Sequence, residues 1–298
     1  MTLSFTGLSA FPLTPADAEG VVDTDTLARL VERLASAAPE SIGLLGSTGI
    51  YAYLDRAQRR RAVAAAVEAA GGRVPVIVGI GALRTSWALD LARDAEAEGA
   101  AGLLLAPVSY TPLTQDEAEH HFRAVAGATA LPLCVYNNPG TTGFRFTPEL
   151  IGRLSAVPGI AAIKMPLPAD GDFAGELRTL RGLVPERFAI GYSGDWGAAP
   201  ALLAGGAAWY SVVAGLLPGP ALRLTRAALA GQAEEAAALD AAFAPLWALF
   251  RAHGSLRVMY LVADRLGLPV GDPPLPLRRP GADVAREVEA ALDRLSAL

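Results

Sequence analysis

Lysine is almost absent from this chain. Its 298 residues include 25 lysines and arginines, of which Lys164 is the single lysine. Cysteine is reduced to one residue, Cys134, and histidine to three. One cysteine excludes an intrachain disulfide and suits a reducing compartment, so a cytoplasmic location is expected. Two of the histidines, His120 and His121, are sequence neighbours and would not share a helix face. Neither an HExxH nor a CxxC pattern occurs, so no metal site is expected. A basic cluster is also missing. The net charge of -5 argues against nucleic acid or an anionic membrane as a partner. The densest basic run, Arg59-Arg60-Arg61, falls in a helical pattern and reads as a solvated helix face.

Long apolar runs are lacking too. Hydrophobic residues make up 52% of the chain, with alanine supplying much of this. The longest uncharged stretch, Trp196 to Leu222, is broken by Pro200, Gly205-Gly206, Pro218 and Pro220. It reads as helix, turn and strand rather than a membrane span. Met1-Thr2-Leu3-Ser4-Phe5 has neither a basic region nor an apolar core, and no signal peptide is expected. Signatures of bound cofactors fail in turn. Gly79-Ile80-Gly81-Ala82-Leu83-Arg84 lacks the third glycine of a dinucleotide loop, and a phosphate loop is impossible with the only lysine elsewhere. Gly191-Tyr192-Ser193-Gly194-Asp195 lacks the last glycine of a nucleophile elbow. No cofactor is therefore expected.

What the chain does have is alternation. Short apolar runs at Leu3-Ala10, Ile42-Leu45, Val74-Ile80, Gly102-Ala106, Leu133-Tyr136, Ile160-Ile163, Phe188-Gly191 and Ala208-Val212 are separated by alanine-rich helical segments. Eight strands with crossover helices fit a (β/α)8 TIM barrel better than an open doubly wound sheet. After Pro218-Gly219-Pro220 the pattern is purely helical. Residues 1–217 are therefore expected to form the barrel, and 218–298 a C-terminal helical region packed on it.

A barrel gathers chemistry at the carboxyl ends of its strands. Lys164 stands at the end of the sixth. Where arginine has replaced lysine at every other basic position, the retained residue marks chemistry that a guanidinium cannot do, such as forming a Schiff base. The second strand ends in Gly46-Ser47-Thr48-Gly49, a hydroxyl-rich loop whose amides can face an anion. The fifth ends in Tyr136-Asn137-Asn138-Pro139, the seventh in Ser193-Gly194-Asp195, and the eighth near Tyr210-Ser211. Lysine, phenol and anion cradle at one mouth suit attack on a 2-oxo acid, with Ser47 and Thr48 holding the carboxylate and Tyr136 relaying protons. Asp195 reads as a loop brace or helix cap, and Cys134 as a small buried hydrophobe.

In this order and at these separations, the motifs resemble the dihydrodipicolinate synthase/N-acetylneuraminate lyase family, over nearly the whole chain. The resemblance implies class I aldolase-type chemistry with Lys164 as Schiff-base former and Tyr136 as proton relay. It places the main chain at Tyr210 on the same pocket and implies a homo-oligomer, usually a homotetramer. Four positions depart from the pattern. Ile50 and Met165 stand where the family has glutamate. Thr141 replaces an arginine that would hold the second substrate's carboxylate. Ser109 replaces a tyrosine that reaches across a subunit interface, leaving Tyr110 beside it as a candidate relay. The pyruvate half of the site looks intact and the second-substrate half rebuilt. The resulting expectation is a lyase or aldolase acting on a 2-oxo acid. Its alternatives are the family's namesake condensation of pyruvate with an amino-aldehyde, and a non-catalytic 2-oxo-acid-binding or scaffold protein.

Overall fold

Each of the eight apolar runs forms a strand in the computed structural model, which describes residues 3–296. Residues 1 and 2, part of the stretch read for a signal peptide, and 297 and 298, at the end of the helical region, lie outside it. The strands are β1 (Gly7–Ala10), β2 (Ser41–Leu44), β3 (Val76–Gly79), β4 (Gly102–Leu105), β5 (Leu133–Tyr136), β6 (Ile160–Met165), β7 (Ala189–Tyr192) and β8 (Ala208–Ser211). All pair in parallel in sequence order, and β8 returns to β1, so the sheet closes into a barrel. Closure leaves no edge strand to manage.

Between the strands run α1 (Thr24–Ala37), α2 (Arg56–Ala70), α3 (Thr85–Ala97), α4 (Gln115–Ala126), the short α5 (Pro139–Thr142), α6 (Pro148–Ser155), α7 (Phe173–Arg181) and α8 (Ala198–Leu203). Their starts are written in the sequence: Asp23, Asp55, Thr114, Thr147 and Asp172 each accept a first-turn amide. Four helices follow the barrel: α9 (Pro218–Leu229), α10 (Ala233–His253), α11 (Ser255–Arg265) and α12 (Ala282–Ser296). Pro218, which interrupts the longest uncharged stretch, opens α9, where its missing N–H costs nothing. The fold class is thus the expected TIM barrel with C-terminal helices. Among the described residues, no helix is long and apolar enough to cross a membrane.

Alternation along the strands creates two apolar layers. Outward residues such as Leu44, Leu105, Val135, Ile163 and Trp209 pack under the helices. Inward residues, among them Phe11, Leu104, Cys134, Tyr136, Ala162 and Tyr210, fill the barrel. Trp209 meets Trp247 of α10 with ring centroids 6.4 Å apart, which ties the helical region to β8.

Two local expectations are corrected. Strand β6 runs two residues further than expected, so Lys164 lies within the strand and its side chain turns inward, while Met165 turns outward. The solvated reading of Arg59-Arg60-Arg61 holds for Arg60, paired with Glu98 at 2.6 Å, and for Arg61. It fails for Arg59. That side chain is 6% exposed, donates to the carbonyls of Gly79 and Gly81, and lies over the Tyr51 ring. A guanidinium with two carbonyl acceptors at the end of β3 is worth burying, although burial pulls it down to about 10.

Candidate active site

Strand register brings the first two candidates together. Tyr136 of β5 pairs with Lys164 of β6, which pairs in turn with Gly191 of β7. Because all three face inward, the phenol and the amine become neighbours. Lys164 is 4% exposed. Its Nζ lies 4.0 Å from the centroid of Phe11, 4.3 Å from that of Tyr136 and 5.6 Å from that of Tyr210. Among the described residues no carboxylate pairs with it, and three ring faces supply its surroundings. Phe11 reaches this position because β2 carries Gly43. A Cβ there would stand 2.2 Å from Phe11 Cζ.

The loop after β2 is held under strain. Leu45 and Ile50, at φ 54° and 49°, are both left-handed and bracket Gly46-Ser47-Thr48-Gly49. Each non-glycine residue in that region costs about 1–2 kcal/mol, and such strain clusters where a loop must present its backbone. Ile50 donates to the Ser47 carbonyl at 3.2 Å, closing the turn, while the amides of Ser47 and Thr48 have no partner among the described residues. Ser47 Oγ lies 3.3 Å from the Tyr136 hydroxyl. That hydroxyl also accepts from Asn138 Nδ2 at 2.9 Å. The Ser47 hydroxyl and the Tyr136 phenol therefore meet beside the lysine.

Tyr210 is placed deeper. Its hydroxyl lies 3.4 Å from Cys134 Sγ inside the barrel. Burial raises both groups, the Cys134 thiol to about 12 and the Tyr210 phenol well above its ordinary value. Cys134 thus behaves as the buried side chain expected. Asp195 is a brace, as its cap reading proposed. It accepts from Trp209 Nε1 at 2.8 Å and from the amides of Val212 and Val213 at 3.1 and 2.9 Å. Burial raises its carboxyl and the three donors work against that shift.

Ser47, Thr48, Tyr136, Thr141, Lys164 and Tyr210 all line a single cavity of about 870 Å³. Thr141 sits on α5 with its hydroxyl donating to the Asn138 carbonyl at 3.3 Å. Tyr110 is not on the wall; it stands on the loop after β4 and is 96% exposed. Ile50 lines the cavity, whereas Met165 lies outside it with its sulfur accepting from Asn137. Arg145, four residues after Thr141, does not line the cavity.

Four contributors were not singled out from sequence. Phe11 had no signal, since its role depends on Gly43, a neighbour only through the pairing of β1 with β2. Asn138 was within a noted motif but its bond to Tyr136 needs the turn into α5. Tyr51 follows the strained loop and lines the cavity; burial first, and then the Tyr136 hydroxyl, pushes its phenol up to about 12. Arg257 comes from α11, far along the chain.

Comparison with known proteins agrees with this geometry. The chain is 36% identical over 281 residues to the 4-hydroxy-tetrahydrodipicolinate synthase of Cellvibrio japonicus, covering 94% of this chain and 95% of that one. It is 39% identical over 228 residues to the enzyme of the same name from Methylococcus capsulatus, covering 76% and 77%. A crystal structure of a dihydrodipicolinate synthase from Agrobacterium tumefaciens superposes with a TM-score of 0.97 at 61% identity, covering 98% of both chains. The family model described as "Dihydrodipicolinate synthetase family" matches residues 4–295, and with a closed barrel, an inward lysine and a phenol in register beside it, the chain belongs to that family.

Proposed function

We propose that Lys164 is the residue through which this enzyme works, forming an imine with a pyruvate-like 2-oxo acid. Family membership makes the chain a class I, Schiff-base-forming lyase of the aldolase type. The observation that carries the assignment of Lys164 is its setting: the single lysine, inward on β6, without an ion pair among the described residues and adjacent to a hydrogen-bonded phenol. The carboxylate of the substrate would meet the amides and hydroxyls of Ser47 and Thr48. Nζ then attacks the adjacent carbonyl carbon, and the oxygen takes up a proton to give a carbinolamine. Loss of that hydroxyl as water, with a second proton supplied through Tyr136, leaves the C=N bond. The imine then withdraws electrons from the bond broken or formed next.

The second-substrate half is read differently from the relatives' named activity. Thr141 offers a neutral hydroxyl where a guanidinium would bind a carboxylate, so we place the aspartate-derived semialdehyde among poor substrates. The contrary reading, 4-hydroxy-tetrahydrodipicolinate synthase activity, is favoured by the names of the relatives, and dihydrodipicolinate formation by the purified protein decides between them. Self-association is part of the proposal. Leu83 on the loop after β3, Trp87 at the start of α3 and Tyr110 on the loop after β4 are 58%, 51% and 96% exposed, and a second copy covering them would supply Tyr110 with neighbours. So are a cytoplasmic location and the division at 217/218, the latter supported by the change to helices alone after β8.

Borohydride trapping tests the assignment. Pyruvate plus borohydride is expected to add one reduced adduct per chain, mapped by peptide analysis to Lys164. Lys164→Arg keeps the charge and should lose both adduct and turnover. No adduct with any of several 2-oxo acids, or an active Lys164→Arg variant, would sink the Schiff-base assignment and favour a binding protein.

A further inference from the structure

Three charged side chains line the cavity: Lys164, Asp195 and Arg257. Lys164 is the imine former of the preceding reading, and Asp195 is occupied by Trp209 and two backbone amides. Arg257 has no such occupation. It is half-buried, and its guanidinium makes no hydrogen bond or ion pair among the described residues.

Its position is poor for stability. Arg257 stands in the first turn of α11, where no acidic residue offsets it. The first α-helical bond runs from Val258 to the Gly254 carbonyl, so the amides of Ser255, Leu256 and Arg257 point out of the helix end. A cation there opposes the helix dipole and gains nothing from local folding. The backbone nevertheless makes room for it. Gly254, at φ 82°, begins the turn, and a Cβ on it would stand 3.2 Å from Arg257 Nη1. The guanidinium lies back over a glycine rather than extending into solvent.

Resting on the Lys164 assignment, we propose that Arg257 binds a second carboxylate of the substrate, so that the 2-oxo acid processed here is a dicarboxylate. Its far carboxylate lies against the wall built by α10 and α11, not beside Thr141. One guanidinium matches one carboxylate, by a forked pair of hydrogen bonds. A phosphate dianion would call for further cations, and the cavity wall holds none that is free. A cavity of about 870 Å³ accommodates a small diacid with an imine at one end.

Imine trapping reads this without knowledge of the natural substrate. The probes are pairs differing only in the terminal group: 2-oxoadipate against 2-oxohexanoate, and 2-oxoglutarate against 2-oxopentanoate. For at least one pair, the wild type should reach half-maximal adduct at roughly ten- to hundredfold less diacid than monoacid, as expected of a charge-assisted pair. Arg257→Gln should abolish the gap, Arg257→Lys should keep part of it, and pyruvate trapping should be unchanged in both. Added salt should narrow the gap in the wild type. Equal half-saturation for both pairs, a gap that survives Arg257→Gln, or an equal loss of pyruvate trapping in that variant overturns the proposal. Absence of pyruvate trapping in the wild type would strike the Lys164 assignment instead. Calorimetric titration of the same pairs then reads the Arg257 contact separately, and equal affinities there also overturn it.

Discussion

Tyr136→Phe separates chemistry from folding at this site. The change removes one hydroxyl and keeps the ring whose face lies 4.3 Å from Lys164 Nζ. Structurally the loss is small. The hydroxyl accepts from Asn138 at 2.9 Å and meets Ser47 at a long 3.3 Å. Both partners are half-buried and can turn to water in the cavity. One neutral hydrogen bond of this kind is worth about 0.5–1.5 kcal/mol, a shift of a few degrees at most in thermal midpoint for a chain of this size. The catalytic loss should be far larger. A positioned proton donor contributes roughly 10²–10⁴-fold, about 3–5 kcal/mol of barrier. The assay is therefore paired: turnover of a 2-oxo acid substrate and thermal unfolding of the same preparation. Imine formation should be slowed as well, since losing water from the carbinolamine needs the proton, while the adduct still accumulates on long incubation. A variant within about threefold of wild-type turnover would refute the relay. The role would then pass to Tyr51, the half-buried phenol on the same wall, rather than to Tyr110, which is 96% exposed in the protomer.

Asp195→Asn should destabilise the fold by about 2–4 kcal/mol in urea unfolding, because the new amide faces one of three N–H donors and the charge-assisted bonds are lost; a change below about 0.5 kcal/mol would show that the carboxylate is no brace. His121 gives the stability a pH dependence. Burial drops its imidazole from 6.5 to about 4, so the unfolded chain binds a proton that the folded chain refuses between those values. Stability from this group is complete above 6.5 and is lost as pH falls toward 4, by about 3 kcal/mol. His121→Leu should flatten that part of the curve while losing the Thr85 contact at every pH, and an unchanged slope would rule out His121 as its source.

Legibility in the sequence followed the range of the interaction concerned. Strand β5 has the bounds read from the sequence, because alternation and flanking turns are local. Lys164 stood out from composition alone, as the one lysine of a chain that uses arginine everywhere else, and it lines the cavity. Its partnership with Tyr136 was legible only in outline. Both sit at strand ends, but the register that makes them neighbours is a property of the closed barrel. Arg59 was misread for the complementary reason. Its sequence neighbours are charged, and nothing local announces two free carbonyls at the end of β3 waiting to receive it.

Arg257 marks the limit of that kind of reading. It follows Gly254-Ser255-Leu256 in a segment with the composition of an ordinary helix start, separated from Lys164 by two strands and four helices. Only the packing of the helical region against the β7–β8 side of the barrel carries it to the cavity. The groups proposed for 2-oxo acid chemistry, Ser47, Tyr136 and Lys164, come from the ends of strands or the loop that follows one, where register places the phenol beside the amine. In the proposed assignment, the groups that choose among substrates stand on elements less tightly bound to that register, the α5 turn with Thr141 and the start of α11 with Arg257. A change at such positions alters what is recognised without moving the lysine. On that proposal, the chemistry at Lys164 and the choice of substrate are set by different parts of the chain and can change separately.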